Sequence, residues 1–173
     1  MLYRWIRSVA RREERVGGLT PFFALFKMMH TDREGGKATP AKAPKAPKAP
    51  KAPRKIPRLD ARVEAIAEFA MEKKAEKLIV LDVRESCSFA DTFLICSGRS
   101  NRQVQSIGSH IEECMKRDRG ESAAGAEGYA QGHWVLLDYG DVIVHVFYDP
   151  IREFYDLEGL WSHVPRREVH EPR

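Results

Sequence analysis

Residues able to do chemistry are sparse in this chain and poorly spaced for it. The cysteines Cys87, Cys96 and Cys114 form no CxxC pair, so neither a zinc finger nor a disulfide framework is expected. The histidines, His30, His110, His133, His145, His163 and His170, show no HExxH or HxH spacing, and no GxxxxGK[ST] phosphate loop occurs. The turn Gly98-Arg99-Ser100 opens a helix and offers backbone donors to an anion. Nucleotidyl transfer also needs a nearby Asp-x-Asp to hold metal. The next acids, Glu112 and Glu113, fall on a helix, and Asp138 and Asp141 stand at Asp-x-x-Asp across a turn. Cysteine–histidine chemistry would need Cys87 or Cys96 beside His145. The reading is a protein that is not an enzyme, with no catalytic residue, metal or cofactor.

A binding constellation is easier to find. Two apolar runs flank Tyr139-Gly140 and read as a hairpin. With a two-residue loop the opposed pairs are 138/141, 136/143 and 134/145 on one face, and 137/142 and 135/144 on the other. A four-residue loop keeps the same parity. Val135, Leu137, Val142, Val144 and Val146 make one face plain core. The other carries Trp134, Leu136, Asp138, Asp141, Ile143, His145 and Phe147. That mixture of aromatic anchors and acids suits a protein interface, and two opposed aspartates would be relieved by a basic partner. The partner-binding residues expected are Trp134, Leu136, Asp138, Tyr139, Asp141, His145 and Phe147, with Trp134 facing outward.

The elements that must position this hairpin follow from periodicity. Asp60 is a good N-cap for a helix running to about Ala75, with Val63, Ile66, Ala67 and Ala70 on its apolar stripe. Lys77–Val83 and Thr92–Cys96 read as strands. Ser100, with Gln103 three residues on, has capping-box spacing. Val104, Ile107, Gly108, Ile111, Cys114 and Met115 then mark an amphipathic helix ended by Gly120, with Cys114 expected as a core thiol. A short strand near Gly125–Gly128 precedes the hairpin strands His133–Asp138 and Asp141–Tyr148. Asp149 as N-cap and Pro150 at the first position start a last helix, reaching about Trp161. The order α-β-β-α-(β)-β-β-α gives an α/β fold, a mixed β-sheet with flanking helices.

Charge divides the 173 residues unevenly. Residues 1–58 carry 15 Lys/Arg and 4 Asp/Glu, a net +11, whereas residues 59–173 carry 14 and 21, a net −7. The overall +4 and pI near 9.0 therefore describe neither half. Four Lys-Ala-Pro triplets, from Lys42 to Pro53, favour an extended, charged spacer over a packed core, read either as a solubilising linker or as an arm for non-specific contact with RNA phosphates. Three regions result: a basic, disordered extension at 1–58, a globular domain at 59–164 and a C-terminal tail at 165–173. The segment 1–30 is basic and amphipathic, but Glu13 and Glu14 are unlike a transit peptide, and Met28 or Met29 is an alternative start. No apolar run approaches the roughly 18 residues of a membrane span, and an odd number of cysteines with no CxxC spacing fits a reducing compartment.

Several stretches together carry a family resemblance. Leu81-Asp82-Val83-Arg84, the run Ser88 to Ser100, and Arg102-Gln103-Val104 resemble the Iojap family, the ribosomal silencing factors. So do Glu127-Gly128, the run Trp134 to Phe147, and the run Arg152 to Trp161. The resemblance covers about Leu59 to Val164. It implies a nucleotidyltransferase-like fold lacking the catalytic dyad. It also implies binding to the large ribosomal subunit through a basic protein at the intersubunit face, the fourteenth in the large-subunit naming. Small-subunit joining would be blocked, and translation repressed under nutrient limitation. An acidic domain suits a basic partner. The expected location is the bacterial cytoplasm, with an organellar one left open, as is a homodimer. Two other readings stay open: a nucleotide-binding enzyme using Gly98–Ser100, and an RNA-binding ribosome-assembly module driven by the basic extension.

Overall fold

A computed structural model of the chain describes residue 56 and residues 58–170; the Lys-Ala-Pro extension lies outside them. Helix α1 spans Ala61–Glu72, and the Asp60 carboxylate accepts a hydrogen bond from the Arg62 amide at 2.8 Å. It stops short of the expected Ala75 because Lys74 is left-handed, with φ of 56°. That residue turns the chain into strand β1, Glu76–Asp82.

Strand β2, Thr92–Gly98, leads to helix α2, Asn101–Arg119. The Ser100 hydroxyl caps α2 by accepting from the Gln103 amide at 3.2 Å. Gly120 closes it with φ of 68°, a conformation open to glycine at little cost. The short strand β3, Gly125–Glu127, precedes β4, Trp134–Asp138, and β5, Val142–Tyr148. Helix α3, Asp149–Tyr155, and the single turn α4, Leu157–Leu160, follow. The one expected helix is two because Asp156 adopts φ of 40° and caps α4 through the Gly159 amide. Tyr148, not Asp149, is the N-cap of α3; Asp149 instead holds Lys77 at 2.8 Å.

With β6, Arg166–Val169, the strands of the described residues form one sheet in the order β3-β4-β5-β2-β1-β6. Strands β2 and β5 run parallel and the other neighbours antiparallel. The sixth strand, Arg166–Val169, lies in what the sequence suggested was a tail and pairs with β1 from Leu81/Arg166 to Leu78/Val169. Its mostly exposed Arg-Arg-Glu-Val carries no apolar alternation. It gains its place from the hydrogen-bonding edge that β1 presents, and its charges blunt the new edge.

Both faces of the sheet are covered. On one, Val63, Ile66, Ile107 and Ile111 of α1 and α2 pack on Val80, Leu94, Val135 and Val144. On the other, Leu157, Trp161 and Val164 of the C-terminal segment pack on Leu81, Phe93, Leu136 and Ile143. A sheet buried on both sides needs strands that are apolar almost throughout, and Trp-Val-Leu-Leu and Val-Ile-Val-His-Val-Phe are such runs.

Candidate protein-interaction surface

The hairpin keeps the expected parity but not the expected register. Asp138 lies opposite Ile143, Leu136 opposite His145 and Trp134 opposite Phe147. The loop is the four-residue form, closed by the Tyr139 amide donating to the Val142 carbonyl at 2.9 Å. The aspartates therefore do not face each other. The Asp138 carboxylate accepts from the Gly140 amide at 2.8 Å, and Asp141 pairs with Arg62 of α1.

The expected outward face is a second core. Trp134 is only 6% exposed, and Leu136, His145 and Phe147 are buried. The Trp134 ring stacks on Phe147 with centroids 4.6 Å apart and lies 5.2 Å from Tyr155. Phe93 meets His145 edge-on at 5.2 Å and Trp161 at 5.4 Å. Tyr139 is buried as well, on the α1/α2 side. Of the seven residues expected to touch a partner, Asp138 and Asp141 keep substantial access to solvent. Parity assigned the faces correctly; what it could not supply was the cover that α3, α4 and the segment up to Val164 lay over the aromatic one.

His145 shows what that cover does. Its Nδ1 accepts from Trp134 Nε1 at 3.3 Å, which leaves the ring proton on Nε2, a buried atom with no hydrogen-bond partner. Burial among aromatic rings lowers its pKa to about 3, because a charged imidazolium would lose its hydration there. Neighbouring strand positions 95 and 145 share a face, so Cys96 points to the opposite side. Burial pushes its thiol up to about 12. A Cys96–His145 pair is thus ruled out by strand parity.

The Gly98–Ser100 turn is occupied from within. Gln103 Oε1 accepts from the Arg99 amide at 2.9 Å, and the Ser100 hydroxyl already takes the Gln103 amide. The Arg99 guanidinium donates to Glu76 at 2.6 Å. A Cβ on Gly98 would lie 3.1 Å from Val104, so the helix packs tightly against the turn. Donors engaged in this way, with a carboxylate alongside, make a poor cradle for a nucleotide phosphate.

Solvent does reach the aromatic layer at one edge. A groove of about 490 Å³ opens between the segment after β3 and helix α3, lined by Tyr129, His133, Trp134, Ile151 and Tyr155. Trp134 is its floor. Gly128 allows the wall to close: its φ is 89°, and a Cβ there would stand 1.8 Å from the Trp134 carbonyl oxygen. Phe154 is next to Tyr155, with ring centroids 5.3 Å apart, and is 72% exposed. Among the described residues it is the exposed large apolar side chain, and exposed acids, Glu153 and Asp156, lie beside it in sequence. The sequence reading did not single out Phe154 as an exposed aromatic or Tyr155 as a groove residue. Their signal was an aromatic pair in an otherwise polar helical stretch, Arg-Glu-Phe-Tyr-Asp.

The geometry defines a small α/β domain with both sheet faces covered and an aromatic groove at one edge. The model of the family described as "Ribosomal silencing factor during starvation" matches residues 56–173. Over 98 residues the chain is 42% identical to the ribosomal silencing factor RsfS of Halalkalibacterium halodurans, covering 57% of this chain and 83% of that one. It is 32% identical over 104 residues to the chloroplastic protein Iojap of Arabidopsis thaliana, covering 60% of this chain and 43% of that one. A crystal structure of a Bacillus halodurans protein superposes with a TM-score of 0.54 at 37% identity, covering 62% of this chain and 96% of that one. The chain belongs to the ribosomal silencing factor family. Among the described residues, no helix is long and apolar enough to cross a membrane.

Proposed function

We propose that this chain is a translational repressor acting in the bacterial cytoplasm rather than an enzyme. It binds the large ribosomal subunit through the fourteenth large-subunit protein, at the intersubunit face, and blocks joining of the small subunit when nutrients are limiting. The observation that carries this reading is the family match across residues 56–173. The net −7 of residues 59–173 supports it, since an acidic domain is drawn to a basic ribosomal protein.

The docking surface in this reading is the groove floored by Trp134, with Phe154 and Tyr155 as aromatic anchors. Asp138 and Asp141 add charge at the far end of β4. Leu136, His145 and Phe147 act beneath the surface by holding Trp134 in place. The basic extension adds salt-sensitive contact with rRNA phosphates. The test is co-sedimentation of the full chain with isolated large subunits, followed by addition of small subunits. The reading requires stoichiometric association and fewer joined ribosomes. Association lost on removing residues 1–55 would favour the RNA-binding module instead, and nucleoside triphosphate turnover would favour the enzyme.

A further inference from the structure

Cys114 was expected as an ordinary core thiol on the apolar stripe of α2. It is fully buried, yet it belongs to neither apolar cluster. Its sulfur is turned toward polar groups. His110, one helical turn earlier, brings Nε2 to 3.6 Å from Sγ. Glu72, from the last turn of α1, brings Oε2 to 2.6 Å from the same Nε2. The three donor atoms all lie within 4.8 Å of one another.

We propose that Glu72, His110 and Cys114 form a binding site for a divalent cation of the zinc type, which ties the end of α1 to the middle of α2. The donor set selects the metal class. Thiolate and imidazole suit a borderline-soft ion such as Zn²⁺, whereas Mg²⁺ and Ca²⁺ prefer all-oxygen shells. The spacing fits as well. With Zn–S of about 2.3 Å and Zn–N of about 2.0 Å, tetrahedral sulfur and nitrogen ligands stand about 3.5 Å apart, close to the 3.6 Å observed. Glu72 and His110 must separate by about 0.7 Å from hydrogen-bond distance to ligand spacing. The Glu72 side chain is 57% exposed and free to do so. Three protein ligands leave a fourth position for water.

One group opposes the ion. Arg117 Nη2 sits 3.4 Å from Sγ, while the same guanidinium holds the Asp118 carboxylate at 2.6 and 2.7 Å. Arg117 and Asp118 are both exposed, so metal binding requires that the pair swing away from the sulfur together.

Cobalt(II) is the probe, added to the reduced, chelator-treated full-length protein. A thiolate-to-cobalt charge-transfer band should appear and saturate at about one equivalent, then vanish when zinc replaces cobalt. Zinc at about a hundredfold over its Kd should raise Tm by about 10 °C. Cys114→Ala should abolish the band, and Cys87→Ser should leave it. Glu72→Gln, a surface change that spares the fold, should weaken cobalt binding by about tenfold. If Cys114→Ala does not fold, Cys114→Ser, which keeps the side-chain volume more closely, replaces it, and the thiolate band should again be absent. Absence of the band, its persistence in Cys114→Ala or Cys114→Ser, or unchanged affinity in Glu72→Gln would each overturn the site.

Discussion

Trp134 donates its indole N–H to His145 Nδ1 across 3.3 Å, and both rings lie beneath the C-terminal helices. This pair joins the two strands of the hairpin inside the second core, and Trp134 also lines the groove. In the proposed reading stability and binding therefore share a residue, and the variants that separate them lie elsewhere.

Trp134→Ala should be mainly a folding defect. The ring is 6% exposed and stacked on Phe147. Its loss should cost about 3–5 kcal/mol, visible as a shift in the urea midpoint with little change in slope. A variant with unchanged stability and weakened ribosome association would restore the outward placement.

Phe154→Ser should do the reverse. The side chain is 72% exposed, so stability should change by less than about 0.5 kcal/mol. If Phe154 is an anchor of the docking surface, affinity for the large subunit should fall by about tenfold, or about 1.4 kcal/mol. A thermal melt and a binding titration on the same preparation check both. Unchanged affinity would remove Phe154 from the interface.

His145 should give the protein an acid-sensitive limb. Its folded pKa of about 3 lies below the ordinary value of 6.5, so the unfolded chain binds the extra proton first. The stability is fully present above about pH 6.5 and is lost as pH falls toward 3. Asp82 and Asp149, held below the usual carboxylate range by hydrogen bonds from Arg84 and Lys77, add their own losses only at the acid end. Urea unfolding between pH 7 and 4 should show the slope, and His145→Leu should flatten it.

Gly128→Ala should destabilise the groove wall by more than about 2 kcal/mol, because a Cβ at 1.8 Å from the Trp134 carbonyl adds a clash to an unfavourable φ of 89°. Tryptophan fluorescence would report the displaced ring alongside the lowered melting temperature. Wild-type stability would show that the wall relaxes without effect.

Local information was enough for most of the scaffold. The caps Asp60, Ser100 and Gly120, the stripe from Val104 to Met115 and the parity of the hairpin are properties of neighbouring residues and are legible along the chain alone. Composition separated the basic extension from the acidic domain in the same way. Three things were decided only by tertiary structure. Arg166–Val169 is a strand because β1 offers it a free edge, a long-range pairing that its polar side chains do not announce. Trp134, Leu136, His145 and Phe147 are core because α3 and α4 fold back over them, and alternation within a strand says which residues share a face but not what covers it. Cys114 meets Glu72 because α1 and α2 lie side by side; their 42 positions of separation leave no trace in local periodicity, and only the packing of two helices on one sheet brings carboxylate, imidazole and thiol together.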